Sequence, residues 1–115
     1  MDTSSILDKR YQSVKLAVAL RTARSVVGFS QDELSKLTGI PKITIARFEL
    51  LEGNLKADQL MKLLDLYSSM GAKLELTSGD GFTLSVDDKM INLAGERLSD
   101  NSKRRADRKT GRGIF

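Results

Sequence analysis

The stretch from Gly28 to Glu49 constrains the fold more than any other part of the chain, because helix start and stop signals follow so closely that only two short helices fit. Ser30 presents a side-chain oxygen to the first free N–H groups of a helix, and Glu33 completes a Ser-x-x-Glu capping box. Gly39 then ends that helix, since glycine takes a left-handed backbone without steric cost. Pro41 suits the first turn of the next helix, where its missing N–H has no partner to lose. The pattern predicts a short helix over Gln31–Leu37 that buries Leu34 and Leu37, a tight turn, and another short helix over Pro41–Glu49. On the latter Ile45 and Phe48 face inward, which leaves Lys42, Ile43, Thr44 and Arg47 on the outside.

The flanking segments supply elements for this pair to pack against. Leu16, Leu20, Ala23 and Val27 recur at spacings of four, three and four, which predicts a helix over Ser13–Val27 stopped by Gly28. Residues 1–12 are left as an N-terminal extension. After a loop over Leu50–Lys56 that contains Gly53 and Asn54, the segment Ala57–Met70 is amphipathic through Leu60, Leu63, Leu64 and Tyr67, and Gly71 closes it. From Ala72 the period changes to two. Leu74 and Leu76 share a face, Ser78-Gly79-Asp80-Gly81 turns the chain, and Phe82, Leu84 and Val86 alternate again, which predicts a β-hairpin. Asp88–Leu98 reads as a short helix through Met90, Leu93, Ala94 and Leu98. The chain thus divides into an extension (1–12), a helical bundle (13–71), a hairpin with a short helix (72–98) and a basic flexible tail (99–115).

Absences narrow the chemistry. Cys and His are both missing, which removes disulfides, the usual zinc and haem ligands, thiol nucleophiles and the commonest general base. No catalytic residue, metal or cofactor is expected, and the chain does not read as an enzyme. Gly79-Asp80-Gly81 near Asp87 and Asp88 lacks the spaced oxygen ligands of a calcium loop and reads as turn chemistry. With no long apolar run and no basic-then-apolar N-terminus, the chain is expected to be cytoplasmic and to make no membrane contact. The formal charge of +4 is unevenly placed. Residues 103–115 carry six basic side chains (Lys103, Arg104, Arg105, Arg108, Lys109, Arg112) against Asp107, or +5, and the other 102 residues carry thirteen basic against fourteen acidic, or −1. That tail reads equally as a solubilising end or as an arm that binds phosphate.

From Leu20 the sequence runs LRTARSVVGFSQDELSKLTGIPKITIARFE, which resembles the Xre family of helix-turn-helix domains, the group that includes the lambdoid phage repressors and Cro proteins. Leu20, Arg24, Gly28, Ser30-Gln31, Glu33-Leu34, Leu37, Gly39-Ile40, Thr44-Ile45, Arg47 and Glu49 carry the resemblance, which spans roughly residues 16–70. It implies a lambda-repressor-like bundle of four to five helices, here followed by a small β-hairpin, with the helix from Pro41 lying in the major groove of double-stranded DNA. By the same resemblance Lys42, Ile43, Thr44 and Arg47 face bases or phosphates, and Gln31 grips the backbone. Arg24 and Glu49 match a structural salt bridge. The family's usual Asn-Gly after that glutamate is replaced by Leu50-Leu51, so its loop contacts are expected to shift to Asn54 and Lys56, or the two leucines to join an interface.

The order of a helical domain followed by Lys-Leu-Glu-Leu is similar to a subset of Xre-like proteins that includes helix-turn-helix antitoxins, in which a strand after the last helix pairs across a dimer axis. A lone hairpin is marginal, so Leu74, Leu76, Phe82, Leu84 and Val86 are expected to find cover in a homodimer. The expected function is sequence-specific regulation of transcription, as an autoregulating repressor on a palindromic operator. The alternative is an antitoxin that masks a protein toxin and binds its own promoter.

Overall fold

The computed structural model describes residues 2–77 and 80–100, with side chains from Arg10 onward. Among them are five helices and one two-stranded sheet: α1 (Asp2–Val27), α2 (Gln31–Thr38), α3 (Lys42–Glu49), α4 (Ala57–Ser69), β1 (Ala72–Glu75), β2 (Thr83–Val86) and α5 (Asp88–Ser99). Of the expected tail over 99–115, Ser99 is the last residue of α5 and Asp100 its C-cap, and residues 101–115, with all six basic side chains, lie outside the described residues.

The helix expected from Ser13 begins eleven residues earlier, at Asp2. No Gly or Pro interrupts the chain before Gly28, so nothing stops the helix from propagating backward once its second half is packed. Ala17, Ala19 and Ala23 are buried on α1, and their small side chains let the helix lie close to its neighbours. The α2 caps form as the sequence predicts. The Ser30 hydroxyl oxygen accepts from Glu33 N–H at 3.0 Å, Ser30 N–H donates to Glu33 Oε1 at 2.8 Å, and Gly39 takes φ 76°. Pro41 is the N-cap of α3 instead of its first helical residue, and its carbonyl accepts from Thr44 and Ile45.

Leu20, Leu34, Ile40, Ile45, Phe48, Leu63 and Tyr67 form the centre of the core. Leu37 is not among them, being 57% exposed. The turn after α2 sends Ile40 inward to 1% exposure, where it joins Leu34 in the core.

β1 and β2 are antiparallel, with Ala72 opposite Val86 and Leu74 opposite Leu84. Leu76 and Phe82 fall outside the strands. Ala72 is fully buried, and Leu74 and Leu84 pack against the helical core. The hairpin's apolar face is thus partly covered within the chain: Leu74 and Leu84 are half-buried against the core, Leu76 and Phe82 are half-buried beside the strands, and Val86 stays exposed. Two contacts with α1 tie the hairpin down further. Lys15 Nζ donates to the Leu76 carbonyl at 2.8 Å, and Gly81 N–H donates to the Tyr11 hydroxyl.

α5 joins the same core through Met90, which is completely buried, with Leu93 and Ala94 alongside. Its N-cap Asp87 accepts from Met90 N–H at 3.0 Å. Asp87 also donates its own N–H to the Gly71 carbonyl at 2.9 Å, closing the base of the hairpin. Gly71 has φ 98°, and a Cβ there would lie 2.0 Å from Asp87 Oδ1. Gly71→Ala is therefore expected to destabilise the fold by about 2 kcal/mol or more, the sum of left-handed strain and a displaced cap. Chemical denaturation measures this, and a loss below about 0.5 kcal/mol would mean that the junction is looser than described.

Candidate nucleic-acid interface

Two opposed charges set the attitude of α3. Arg24, on the last turn of α1, donates through Nε to Glu49 Oε2 and through Nη2 to Glu49 Oε1, both at 2.8 Å, with both side chains about 5% exposed. Arg24 Nη1 also donates to the Phe29 carbonyl at 3.0 Å, and Gln31 Nε2 donates to Glu49 Oε1 at 2.9 Å. The end of α1, the loop after it, the start of α2 and the end of α3 thus meet at one carboxylate. Tyr67 packs within the field of this pair, and its burial pushes the phenol above its ordinary pKa, with smaller opposed effects from Arg24 and Glu49.

Gln31 is the residue whose geometry differs most from expectation. One of its amide hydrogens is engaged inward by Glu49, so its first task is to brace α2 against α3. Its backbone N–H still sits at the α2 N-terminus, where the helix dipole favours an anion.

The outer row of α3 is open to solvent. Lys42, Ile43 and Arg47 are exposed, and Thr44 is half-buried. Lys42 Nζ lies 3.4 Å from Asp32 Oδ1, but both side chains are more than half exposed, so the pair holds Lys42 only weakly. Arg47 and Leu50 follow Ile43 by four and seven positions, which places all three on one stripe. Pro41, Asn54 and Lys56 are also exposed. Lys56 N–H donates to Gln59 Oε1 at 2.9 Å, half of a capping box for α4. Asn54 lies with Arg10, Ser13, Leu16, Phe48 and Leu51 around a surface cleft of about 510 Å³ between α1 and the loop after α3.

Leu51 has φ 65°, the one left-handed non-glycine among the described residues. Leu50 beside it is 66% exposed. The chain makes the sharp turn for which glycine is the usual residue, and does so with a strained leucine.

Sequence reading missed the polar contacts of Lys15 and Arg97 because each spans a long sequence separation. Lys15 is buried yet bonded to the hairpin, and Arg97 of α5 donates to the Gly28 carbonyl and lies 3.8 Å from Glu33 Oε1. Only the positive φ of Gly28 (87°) left a mark in the sequence, as the glycine itself. A Cβ there would lie 2.3 Å from Arg97 Nε.

Among the described residues no three His, Cys, Asp or Glu side chains converge as metal ligands, and no helix is long and apolar enough to cross a membrane. Comparison with protein-family models, curated proteins and solved structures returns no match.

Two stability changes follow from this geometry. Glu49→Ala is expected to cost about 3–5 kcal/mol by stranding Arg24, whereas the double change Arg24→Met with Glu49→Leu costs far less; a double-mutant cycle in denaturant reads the coupling. Leu51→Gly is expected to raise stability by about 1 kcal/mol through relief of left-handed strain, seen as a higher thermal midpoint. A neutral Glu49→Ala or a destabilising Leu51→Gly would contradict the respective assignments.

Proposed function

We propose that the chain is a helix-turn-helix regulator of transcription, in which α3 enters the major groove of double-stranded DNA and reads base edges there. The observation that carries this reading is the outer row Lys42, Ile43 and Arg47, exposed on a short helix held by a buried ion pair. A groove-reading helix needs both features: side chains free to meet the bases and a backbone that does not yield when they do. Arg47 suits bidentate donation to guanine O6 and N7. Ile43 suits a thymine methyl, and Lys42 and Thr44 suit phosphate or base. The α2 N-terminus, where the Gln31 backbone N–H sits, suits a backbone phosphate. The resemblance of residues 16–70 to Xre-type domains supports the same assignment. The mechanism is steric: a homodimer on a palindromic operator occludes a promoter.

A second reading, a protein-masking antitoxin that also binds DNA, is favoured by one observation. Leu50 and Leu51 are exposed beside α3, where a polar loop would serve DNA better.

The test is a titration of duplexes in which each base pair of a bound site is changed in turn. Arg47→Ala is expected to cost about 1–3 kcal/mol on the preferred site and to erase discrimination at one base pair. An equal loss on every sequence would remove Arg47 from base reading, and affinity unchanged on all of them would remove α3 from the interface.

A further inference from the structure

The first residue of α3 is a cation where helix physics favours an anion. Lys42 stands at the positive end of the helix dipole, the first turn of α3 holds no acidic residue, and its N-cap Pro41 makes no side-chain capping bond. The lysine is not there for packing either, since its side chain is 55% exposed. A residue that breaks the local rule without a gain in burial marks a place where function sets the choice.

The charge that offsets it comes from the neighbouring helix. Asp32, in the first turn of α2, sets Oδ1 3.4 Å from Lys42 Nζ. α2 and α3 carry two other carboxylates, and both have tasks of their own: Glu33 completes the capping box with Ser30, and Glu49 is buried against Arg24. Asp32 is the exposed one, and it lies beside the row of α3 that faces outward.

As a stability device the pair contributes little, because both side chains are more than half exposed. Its effect on a third charge is larger. A phosphate that approaches Lys42 meets the carboxylate as well, and beyond the 3.4 Å separation of the pair the two opposite fields nearly cancel. Directional contacts survive this cancellation. The ammonium has three N–H donors, and turning one to Asp32 leaves two for uncharged acceptors, such as O6 and N7 on the major-groove edge of guanine.

We propose that Asp32 is a specificity-determining residue of this surface: its carboxylate cancels Lys42 as an anchor for phosphate and leaves it as a reader of guanine. On duplex of the wrong sequence a paired Lys42 gains almost nothing, whereas opposite a guanine it keeps its hydrogen bonds. Asp32 thus lowers affinity for DNA in general and widens the ratio between the preferred site and all others, which is discrimination by a built-in repulsion. This role rests on the reading of α3 as the groove helix, and one experiment separates the two.

The test is a salt titration of the full chain and of its Asp32→Asn, Lys42→Met and doubly changed forms. Two duplexes of equal length serve as probes, one selected from a random-sequence pool and one scrambled from it. Asp32→Asn preserves the shape of the side chain and leaves the Ser30–Glu33 cap intact, so circular dichroism should not change. It is expected to bind the scrambled duplex about tenfold tighter at low salt and to steepen the slope of log affinity against log salt by about 0.9, the contribution of one phosphate contact. The selected duplex gains less, so the ratio of the two affinities falls. Adding Lys42→Met should restore the original slope. Alone, Lys42→Met should leave the slope as it is and cost about tenfold on the selected duplex, through one G·C pair. An unchanged slope in Asp32→Asn overturns the role of Asp32, and a steepening that survives Lys42→Met overturns its action through Lys42. Either result, with Arg47→Ala still erasing discrimination at one base pair, leaves the reading of α3 standing. Equal binding of both duplexes by the unaltered chain, or binding of neither at low ionic strength, overturns both.

Discussion

Arg24 and Glu49 face one another through two hydrogen bonds of 2.8 Å inside the bundle, and neither can be removed without leaving the other charged in a poorly solvated interior. Such a pair adds little net stability compared with apolar residues of the same shape, but it is directional in a way that apolar contacts are not. A bidentate guanidinium–carboxylate contact fixes distance and plane together. Because it joins the last turn of α1 to the last turn of α3, and because Gln31 adds a third hydrogen bond from the first residue of α2, it sets the angle between the two short helices. Ile45 and Phe48 supply the hydrophobic stabilisation of α3, and the ion pair supplies its orientation.

The elements after the bundle repeat this division of labour. Ala72, Leu74, Leu84 and Met90 bury apolar surface in the same core, and a few polar latches decide where the hairpin and α5 come to rest. Asp87 bonds both to Gly71 and to the start of α5, Lys15 reaches the end of β1, and Arg97 reaches the loop before α2. Two of these latches lie hard against glycines of positive φ, Gly28 and Gly71. The side chain that occupies the space of a missing Cβ is in each case a charged one, so a larger residue at either stop would have to displace Arg97 or Asp87 as well as take a left-handed backbone.

Local chemistry was legible in the sequence and tertiary choice was not. The boundaries of α2 and α3 follow from Ser30, Glu33, Gly39 and Pro41, whose effects act within one turn of the chain and need no partner. The period-two alternation found the hairpin and the face that Leu74 and Leu84 share. It did not reveal what covers that face, because cover depends on where α4 directs the chain. Leu37 obeys helical periodicity yet is exposed, whereas Ile40, outside any helix, is buried. The first turns of α1 have few apolar residues to give a period, and their helical state rests on the absence of any breaker before Gly28. Of the site, the exposed row Lys42, Ile43 and Arg47 and the Arg24–Glu49 bond were legible. The inward engagement of Gln31 and the left-handed Leu51 were not, because both depend on where α3 ends relative to α1.

The central claim is that the outer surface of α3, held by the Arg24–Glu49 bond, recognises sequence in duplex DNA. Selection of bound duplexes from a random-sequence pool by the purified full chain at low ionic strength tests it most directly. The account predicts enrichment of a two-fold symmetric consensus, with half-sites about one helical turn apart, 10–10.5 base pairs centre to centre. Recovery of a pool indistinguishable from the input would contradict it.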